Sequence, residues 1–269
     1  ALTQAGAEAA GATAYVTLEP CAHQSPRGPS CADMLIAAGV ACVVIAAQDP
    51  DERTNGKGIA RLRAAGITVR VGCLAEQARS AMAPWWTRQT MGRPFVTLKL
   101  ALSLDGCIAM ADGTSRWITG ARARAHGHME RARHQAILVG RGTYDADAPR
   151  LDVRLAGLEN RSPRRLLLSQ KHAPEGWVTL ESPESLAQMS DINSVLIEGG
   201  AGAASAFLKA DMVDRLLIYR APIIIGGGRN CLQDIGLTHL PDAHGRWRHY
   251  DRRLLGSDQL DVYERIRKE

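Results

Sequence analysis

Two cysteines bracket a proline-rich turn in the stretch TLEPCAHQSPRGPSC, Cys21 after Pro20 and Cys31 after Ser30, with His23 between them. Zinc takes deprotonated thiolate or neutral imidazole ligands in a tetrahedron, and a catalytic zinc keeps one position open for the water it activates. Cys21 and Cys31 would supply two of the ligands such a site needs. Two small residues packed near a helix start would look the same on spacing alone. His23 reads as a solvated side chain or as a partner of a ligand, and a weak substrate contact is the role assigned to it.

A second set of chemically suggestive residues lies in the other half of the chain. In VLIEGGAGAASAFL an apolar run ends at Ile197, and Gly199, Gly200 and Gly202 would let backbone approach a phosphate at the start of the following helix. A tight turn would ask for the same glycines. No complete G-x-G-x-x-G with an acidic residue at the right distance is present, which disfavours a Rossmann domain. Lys99 interrupts the apolar strand FVTLKLAL. Lysines are almost never buried without a partner, so it either snorkels or lines a cleft, and the cleft is the expectation.

The elements that must position these groups alternate regularly. From Ala14 to Val71 the runs AYVTL, ADMLIAAG, ACVVIAA, GIARLRAAG and ITVRV read as βαβαβ with a parallel sheet, the helices closed by Gly39 and Gly66. A polar helix follows Cys73. Pro84, Gly92 and Pro94 then break periodicity, so residues 1–84 form a first domain, 85–93 a linker and 94–269 a second domain. In the second, a turn at Asp105-Gly106, a helix near Ala121–Arg133 and the strand AILVG precede a loop, RGTYDADAPRLDVR. The strands RRLLLS and SVLIEGG follow, then the glycine turn with its helix, the strand LLIYRAPIII and a hairpin around Gly256. A mixed α/β fold with a central sheet is expected. The chain opens on ALTQAGAEAAGA, which reads as the middle of an amphipathic helix with no cap before it, and an upstream segment is expected.

Composition narrows the function classes. The 269 residues are 45% hydrophobic and 23% charged, with no apolar run near the length that crosses a bilayer. A globular, non-membrane protein is expected. Six cysteines, Cys42 among them inside VACVVIA, are too sparse for a secreted disulfide scaffold and fit reduced thiols in a cytoplasm. The net charge of +5 comes from scattered arginines without aromatic interleaving, which favours a small anionic ligand over nucleic acid.

The stretch from Tyr15 to Ile67, with LEPCAH, the second cysteine opening the next helix and Gln48-Asp49-Pro50 after the second strand, closely resembles the deaminase half of the bifunctional riboflavin-biosynthesis deaminase/reductases. The second half resembles the reductase domain of that family in LKLALSLDGCIA, SRWITG, AILVGRGTYDADAPRLDVR and LIEGGAGAASAFL. The resemblance implies an incomplete cytidine-deaminase-like three-layer domain followed by a dihydrofolate-reductase-like domain. It implies zinc and NADPH as cofactors and a small phosphorylated pyrimidine as substrate, deaminated and then reduced from ribosyl to ribityl. Zinc deaminases pair a Pro-Cys…Cys segment with a His-x-Glu that gives the third ligand and the proton shuttle. That segment is not in this chain, and the missing ligand is expected to be the histidine of a His-Ala-Glu motif before its first helix. Nine residues separate Cys21 from Cys31, one more than the family pattern. A rival reading is a reductase whose deaminase domain serves only as a scaffold. Family members commonly self-associate, so a homo-oligomer is within what the resemblance implies.

Carried over residue by residue, the resemblance implies cofactor contacts at Ala101, Trp117, Thr143, Asp147, Ser169 and the turn Gly200, Ala201, Gly202, Ala203, Ala204, Ser205 and Ala206. It implies substrate contacts at Ser115, Arg131, Leu151 (through its backbone), Arg154 and Glu198. Arg131 and Arg154 are of the type that grips a phosphate in bidentate fashion, whereas Arg122, Arg124 and Arg133 read as solvated. Asp147 and Glu198 are candidates to orient the sugar or assist proton transfer, with Lys99 beside them. Cys107 stands where the family often has a basic residue.

Overall fold

Period-two apolar runs joined by glycine-ended helices give the first 71 residues a parallel sheet in the computed structural model, which describes residues 1–24 and 28–267. The chain divides into two units, Ala1–Gly92 and Arg93–Glu269. In the first, α1 (Leu2–Ala5) and a 3₁₀ turn precede β1 (Thr13–Leu18), α2 (Cys31–Ala37), β2 (Cys42–Ala47), α3 (Lys57–Ala64) and β3 (Thr68–Val71). The strands pair in parallel in the order β1-β2-β3. Val43 and Ile45 of β2 are fully buried against Leu35 of α2 and Leu62 of α3.

Two expectations for this unit need correction. The opening stretch does not continue as one helix: α1 stops at Gly6, whose φ of 55° leaves the helical region, and Gly11 repeats the break. Residues 85–93 are not an open linker. After α4 (Ala75–Ala81), Pro84 sits in the first turn of α5 (Ala83–Met91), where its missing N–H costs nothing, and Gly92 closes the helix at φ 68°. Residues 25–27 of the loop between Cys21 and Cys31, whose extra residue relative to the family was noted, lie outside the described residues.

The second unit runs β4 (Phe95–Leu102), β5 (Cys107–Ala109), α6 (Ala121–Arg133), β6 (Ala136–Gly140), α7 (Arg141–Asp147), β7 (Arg164–Leu168), β8 (Trp177–Leu180), β9 (Ser194–Ile197), α8 (Ala201–Lys209), β10 (Arg215–Arg220), β11 (Arg229–Asn230), β12 (Trp247–Leu255) and β13 (Asp258–Arg265). Among the described residues it forms an eight-stranded mixed sheet, β12-β13-β10-β4-β9-β6-β7-β8, in which β13 pairs antiparallel with both β12 and β10 and every other pairing is parallel. The alternation of β4 decides what faces the site. Val96, Leu98, Leu100 and Leu102 enter the main core with Phe207 of α8, so Lys99 and Ala101 share the opposite face. On that face lies α6, where His134 beyond its end meets Thr97 at 3.0 Å and His126 meets Tyr219 of β10 at 2.8 Å.

The stretch read as a loop from Arg141 begins as α7, a helix that the glycine and aspartates in RGTYDAD disguise. The strand expected through Ile225 ends at Arg220, with Pro222 just beyond.

Candidate functional site

The parallel strands of the second unit end together, and their carboxyl ends open into a cleft of about 1510 Å³. Ligands of open α/β sheets bind at such strand ends. A typical small-molecule pocket holds about 300–1,000 Å³, so there is room for two ligands. Lys99 of β4, Glu198 just past β9, Tyr219 of β10 and Gly140 at the end of β6 all line it.

Glu198 is the centre of a buried charge cluster. It accepts Arg131 Nε at Oε1 (2.7 Å) and Arg131 Nη2 at Oε2 (2.9 Å), and its Oε2 lies 3.6 Å from Lys99 Nζ. Burial alone would raise its pKa. The Lys99 charge and the Arg131 pair overcome that and hold the carboxyl down at about 2, so Glu198 is an ionised acceptor and no proton donor. Lys99 sits over the Tyr219 ring at 5.8 Å, within cation–π range. Tyr219 has its hydroxyl bound to His126, and burial pushes its pKa up, so the phenol stays neutral.

Arg131 therefore has less freedom than its assignment as a phosphate grip requires. Two of its nitrogens serve Glu198, and Nη1 donates to the Asp152 carbonyl at 3.0 Å. Its fork fastens cleft elements to one another. The freer guanidiniums are Arg154 and Arg150, which flank Asp152 at 3.5 and 2.9 Å, and Arg124, read from sequence as solvated, which also lines the cleft. Arg124 belongs there because Arg124, His128 and Arg131 recur at i, i+4 and i+7 on α6 and share one helix face. Arg116, Arg141 and Arg229 extend this basic lining. Sequence reasoning missed Arg116, Arg141, Arg150 and Arg229; the α6 spacing was the one local signal available for Arg124 and His128.

On the opposite side, α8 begins at Gly200 without a side-chain cap, and the Gly200 N–H donates to Thr143 Oγ1 at 2.9 Å. The glycines are required by close approach: a Cβ at Gly199 would lie 2.7 Å from the Ala203 Cβ, and one at Gly200 3.1 Å from Thr143 Oγ1. The open first turn is a ready anion site. Ala101, Ser115, Trp117, Thr143, Asp147, Leu151, Arg154, Gly200, Ala201, Gly202 and Ala203 all line the cleft. Leu151 also packs its side chain into the core with Ile137 and Leu196, its backbone turned at φ 56°. Asp147 is solvent-facing and 3.7 Å from Arg116.

Four of the residues expected to contact a cofactor are not among those that line the cleft. Ser169 Oγ accepts Arg141 Nε and the Lys171 N–H, at 3.1 and 2.9 Å, and is not among the lining residues. Ala204 and Ser205 are buried under α8, Ser205 Oγ accepting the Gln233 N–H at 2.7 Å, and Ala206 does not line the cleft. Of the α8 residues, the cleft lining includes Ala201, Gly202 and Ala203.

In the first unit, the Cys31 N–H donates to Cys21 Sγ at 3.2 Å, and Ser30 caps α2 through the Asp33 N–H. His23 Nδ1 lies 3.3 Å from Thr54 Oγ1. Glu19 is buried and accepts the N–H groups of Asp49, Gly56 and Ile59 at 2.9–3.2 Å, a structural clasp between β1 and α3. Among the described residues no group of three or more His, Cys, Asp or Glu side chains is placed to hold a metal. Burial and the hydrogen bond to Cys21 push the Cys31 thiol up. Cys21 and Cys31 would supply two of the three protein ligands a catalytic zinc takes, and the described residues do not supply the third.

An α/β domain with a basic cleft at its strand ends, an open helix start on one side and a lysine–glutamate–arginine cluster on the other is a reductase-type domain: residues 94–255 match the family model of the RibD C-terminal domain. The whole chain is 42% identical over 275 residues to the riboflavin biosynthesis protein RibD of Mycobacterium tuberculosis (strain ATCC 25618 / H37Rv), covering 97% of this chain and 80% of that protein. With the RibD of Escherichia coli (strain K12) the identity is 37% over 292 residues, covering 90% and 79%. The structure of Acinetobacter baumannii RibD superposes with a TM-score of 0.85 at 34% identity, covering 99% of this chain and 84% of that one. The diaminohydroxyphosphoribosylaminopyrimidine deaminase/5-amino-6-(5-phosphoribosylamino)uracil reductase of Thermotoga maritima gives a TM-score of 0.82 at 29% identity, covering 99% and 84%. The chain belongs to the RibD family of riboflavin biosynthesis proteins, and the family resemblance drawn from its motifs is confirmed. No described helix is long and apolar enough to cross a membrane.

Proposed function

We propose that the second unit reduces 5-amino-6-(5-phosphoribosylamino)uracil to its ribityl form with NADPH. The observation that carries this reading is the meeting, in one cleft, of the open start of α8 and the Lys99–Glu198–Arg131 cluster. NADPH, when bound, supplies the hydride that C1′ of the ring-opened sugar imine accepts. The first-turn N–H groups of α8 and the Gly199–Gly202 backbone would hold its diphosphate, with Thr143 fixing the turn. Arg150 and Arg154, preset by Asp152, are the freest cations for the substrate phosphate. Lys99, with Glu198 fixing its ammonium, is the side chain suited to donate the proton that balances hydride addition. The ionised Glu198 orients, and Asp147, paired outward with Arg116, stands apart from that cluster.

For the first unit, the cytidine-deaminase-like reading and zinc-dependent deamination rest on the LEPCAH motif and the kinship with RibD proteins. The described residues do not complete a zinc site and carry no deamination step of their own. A cytoplasmic setting, supported by six free thiols, belongs to the same reading.

The test is NADPH oxidation by this chain, offered either the diaminopyrimidinone ribosylamine phosphate or its deaminated product. Oxidation with the deaminated compound alone supports the reductase and leaves deamination to residues this chain does not contribute. Oxidation with both would mean that a zinc site is completed in another way, and oxidation with neither would overturn the reductase reading.

A further inference from the structure

Between Ala148 and Arg154 the connection that carries Arg150 and Arg154 contains no helix or strand, yet its backbone is tied down. Ala148 and Leu151 both have positive φ, at 39° and 56°, so the chain turns sharply twice before Arg154. Arg131 takes the Asp152 carbonyl, Ser162 Oγ takes the Val153 N–H at 3.0 Å, and the Arg154 N–H donates to His128 Nδ1 at 3.3 Å. Two of these three ties come from α6, at positions three residues apart and so on one helix face. Asp152 then sets the spacing of the two guanidiniums, 2.9 Å from Arg150 and 3.5 Å from Arg154.

We infer that His128 is a positioning residue for substrate binding: its imidazole pins the backbone of Arg154 and so presets the two arginines that take the substrate phosphate. The inference rests on the reading of the cleft as a phosphosugar site. The ring accepts at Nδ1, which places its proton on Nε2 in the neutral form. The groups facing it agree with neutrality. Burial, then the charges of Arg131 on α6 and Arg154 on the loop, keep its pKa down, against the opposing pull of Glu198 beyond β9 and of a hydrogen bond from the ring to the Asp152 backbone. A fixed guanidinium pair loses less side-chain freedom on gripping a phosphate than a mobile one, so the gain appears in affinity for the phosphorylated ligand and leaves the chemical step alone.

The experiment compares wild type, His128→Asn and His128→Leu in the full chain, reading the binding of ribose 5-phosphate and the KM and kcat of NADPH oxidation. Asparagine keeps an acceptor near the Nδ1 position and leucine removes it. Loss of one hydrogen bond predicts roughly five- to tenfold weaker ribose 5-phosphate binding and a matching rise in KM for His128→Leu at nearly unchanged kcat, with His128→Asn restored to within about twofold of wild type. Equal binding by wild type and His128→Leu, or a fall in kcat alone, would overturn the inference while leaving the cleft reading intact. Failure of the wild type itself to bind ribose 5-phosphate would overturn both. Nitrogen-detected NMR of the wild-type imidazole decides independently of whether the leucine variant folds: a proton on Nε2 at neutral pH is expected, and a proton on Nδ1 removes the acceptor the inference needs.

Discussion

Glu198 and Arg131 meet through two hydrogen bonds, at 2.7 and 2.9 Å, although 67 residues separate them. The pair joins the end of β9 to the last turn of α6, and Lys99 closes the third side. The carboxylate cannot be removed without leaving two largely buried cations, Lys99 and Arg131, without the charge that pairs them. Glu198→Gln is expected to destabilise the fold by about 3–5 kcal/mol, the usual cost of breaking a buried ion pair from one side, and to abolish NADPH oxidation. Urea unfolding followed by circular dichroism checks the first part.

The same carboxylate makes stability depend on acid. Its pKa is about 2 in the fold against an ordinary 4.5, a depressed value, so its contribution is fully present above pH 4.5 and is lost as pH falls from there toward 2. The difference corresponds to on the order of 3 kcal/mol. Unfolding midpoints measured between pH 7 and pH 3 should fall for the wild type, and the part of that fall due to this group should be missing from Glu198→Gln.

Lys99 is the proton donor in the proposed reduction. Lys99→Met keeps the length of the side chain and removes the ammonium, and kcat should drop by about 10²–10⁴, the range of general acid–base effects, with NADPH affinity little changed. A kcat within threefold of wild type would remove Lys99 from the chemistry.

The turn into α8 has no room for a side chain at Gly199, where a Cβ would meet that of Ala203 at 2.7 Å and the Gly140 nitrogen at 3.5 Å. Both neighbours are fixed to backbone and cannot swing away. Gly199→Ala should therefore displace the start of α8 and weaken NADPH binding at least tenfold in a fluorescence titration. Gly227→Ala, with nothing within 4 Å of the added carbon, should leave it unchanged.

What the sequence made legible follows from how local each signal is. The parallel order from Thr13 to Val71 could be read because every strand is a compact apolar run and Gly39 and Gly66 mark where the helices stop. Lys99 stood out by breaking the pattern of its own strand. The partner of Glu198 could not be read, since nothing near residue 198 distinguishes Arg131 from Arg122, Arg124 or Arg133. The helix from Arg141 to Asp147 was hidden for another reason: its residues are poor helix formers, and it starts where the buried β6 ends. The partners of Ser169 could not be read either, since a strand-end serine beside a cleft can turn toward either side, and here its hydroxyl meets Arg141 and the Lys171 N–H.

Arg93 and Asp214 form another deeply buried ion pair, at the start of the second unit, with both side chains 8% exposed and contacts of 2.7 and 2.8 Å. Asp214 also accepts the Val96 N–H at 2.9 Å and Arg267 Nη2 at 3.0 Å, so one carboxylate ties the first strand of the sheet to the chain's last described residue. Asp214→Asn would leave Arg93 buried beside a neutral amide and weaken both other ties. It is expected to cost about 3–5 kcal/mol. Arg93→Met leaves Asp214 with Arg267 and the Val96 N–H, and should cost less. In a double-mutant cycle the two losses should fall short of additivity by about 1–3 kcal/mol, because the second change removes a partner that the first has already stranded. Additive losses would mean that Arg93 and Asp214 are each held by their other neighbours and that the pair itself contributes little.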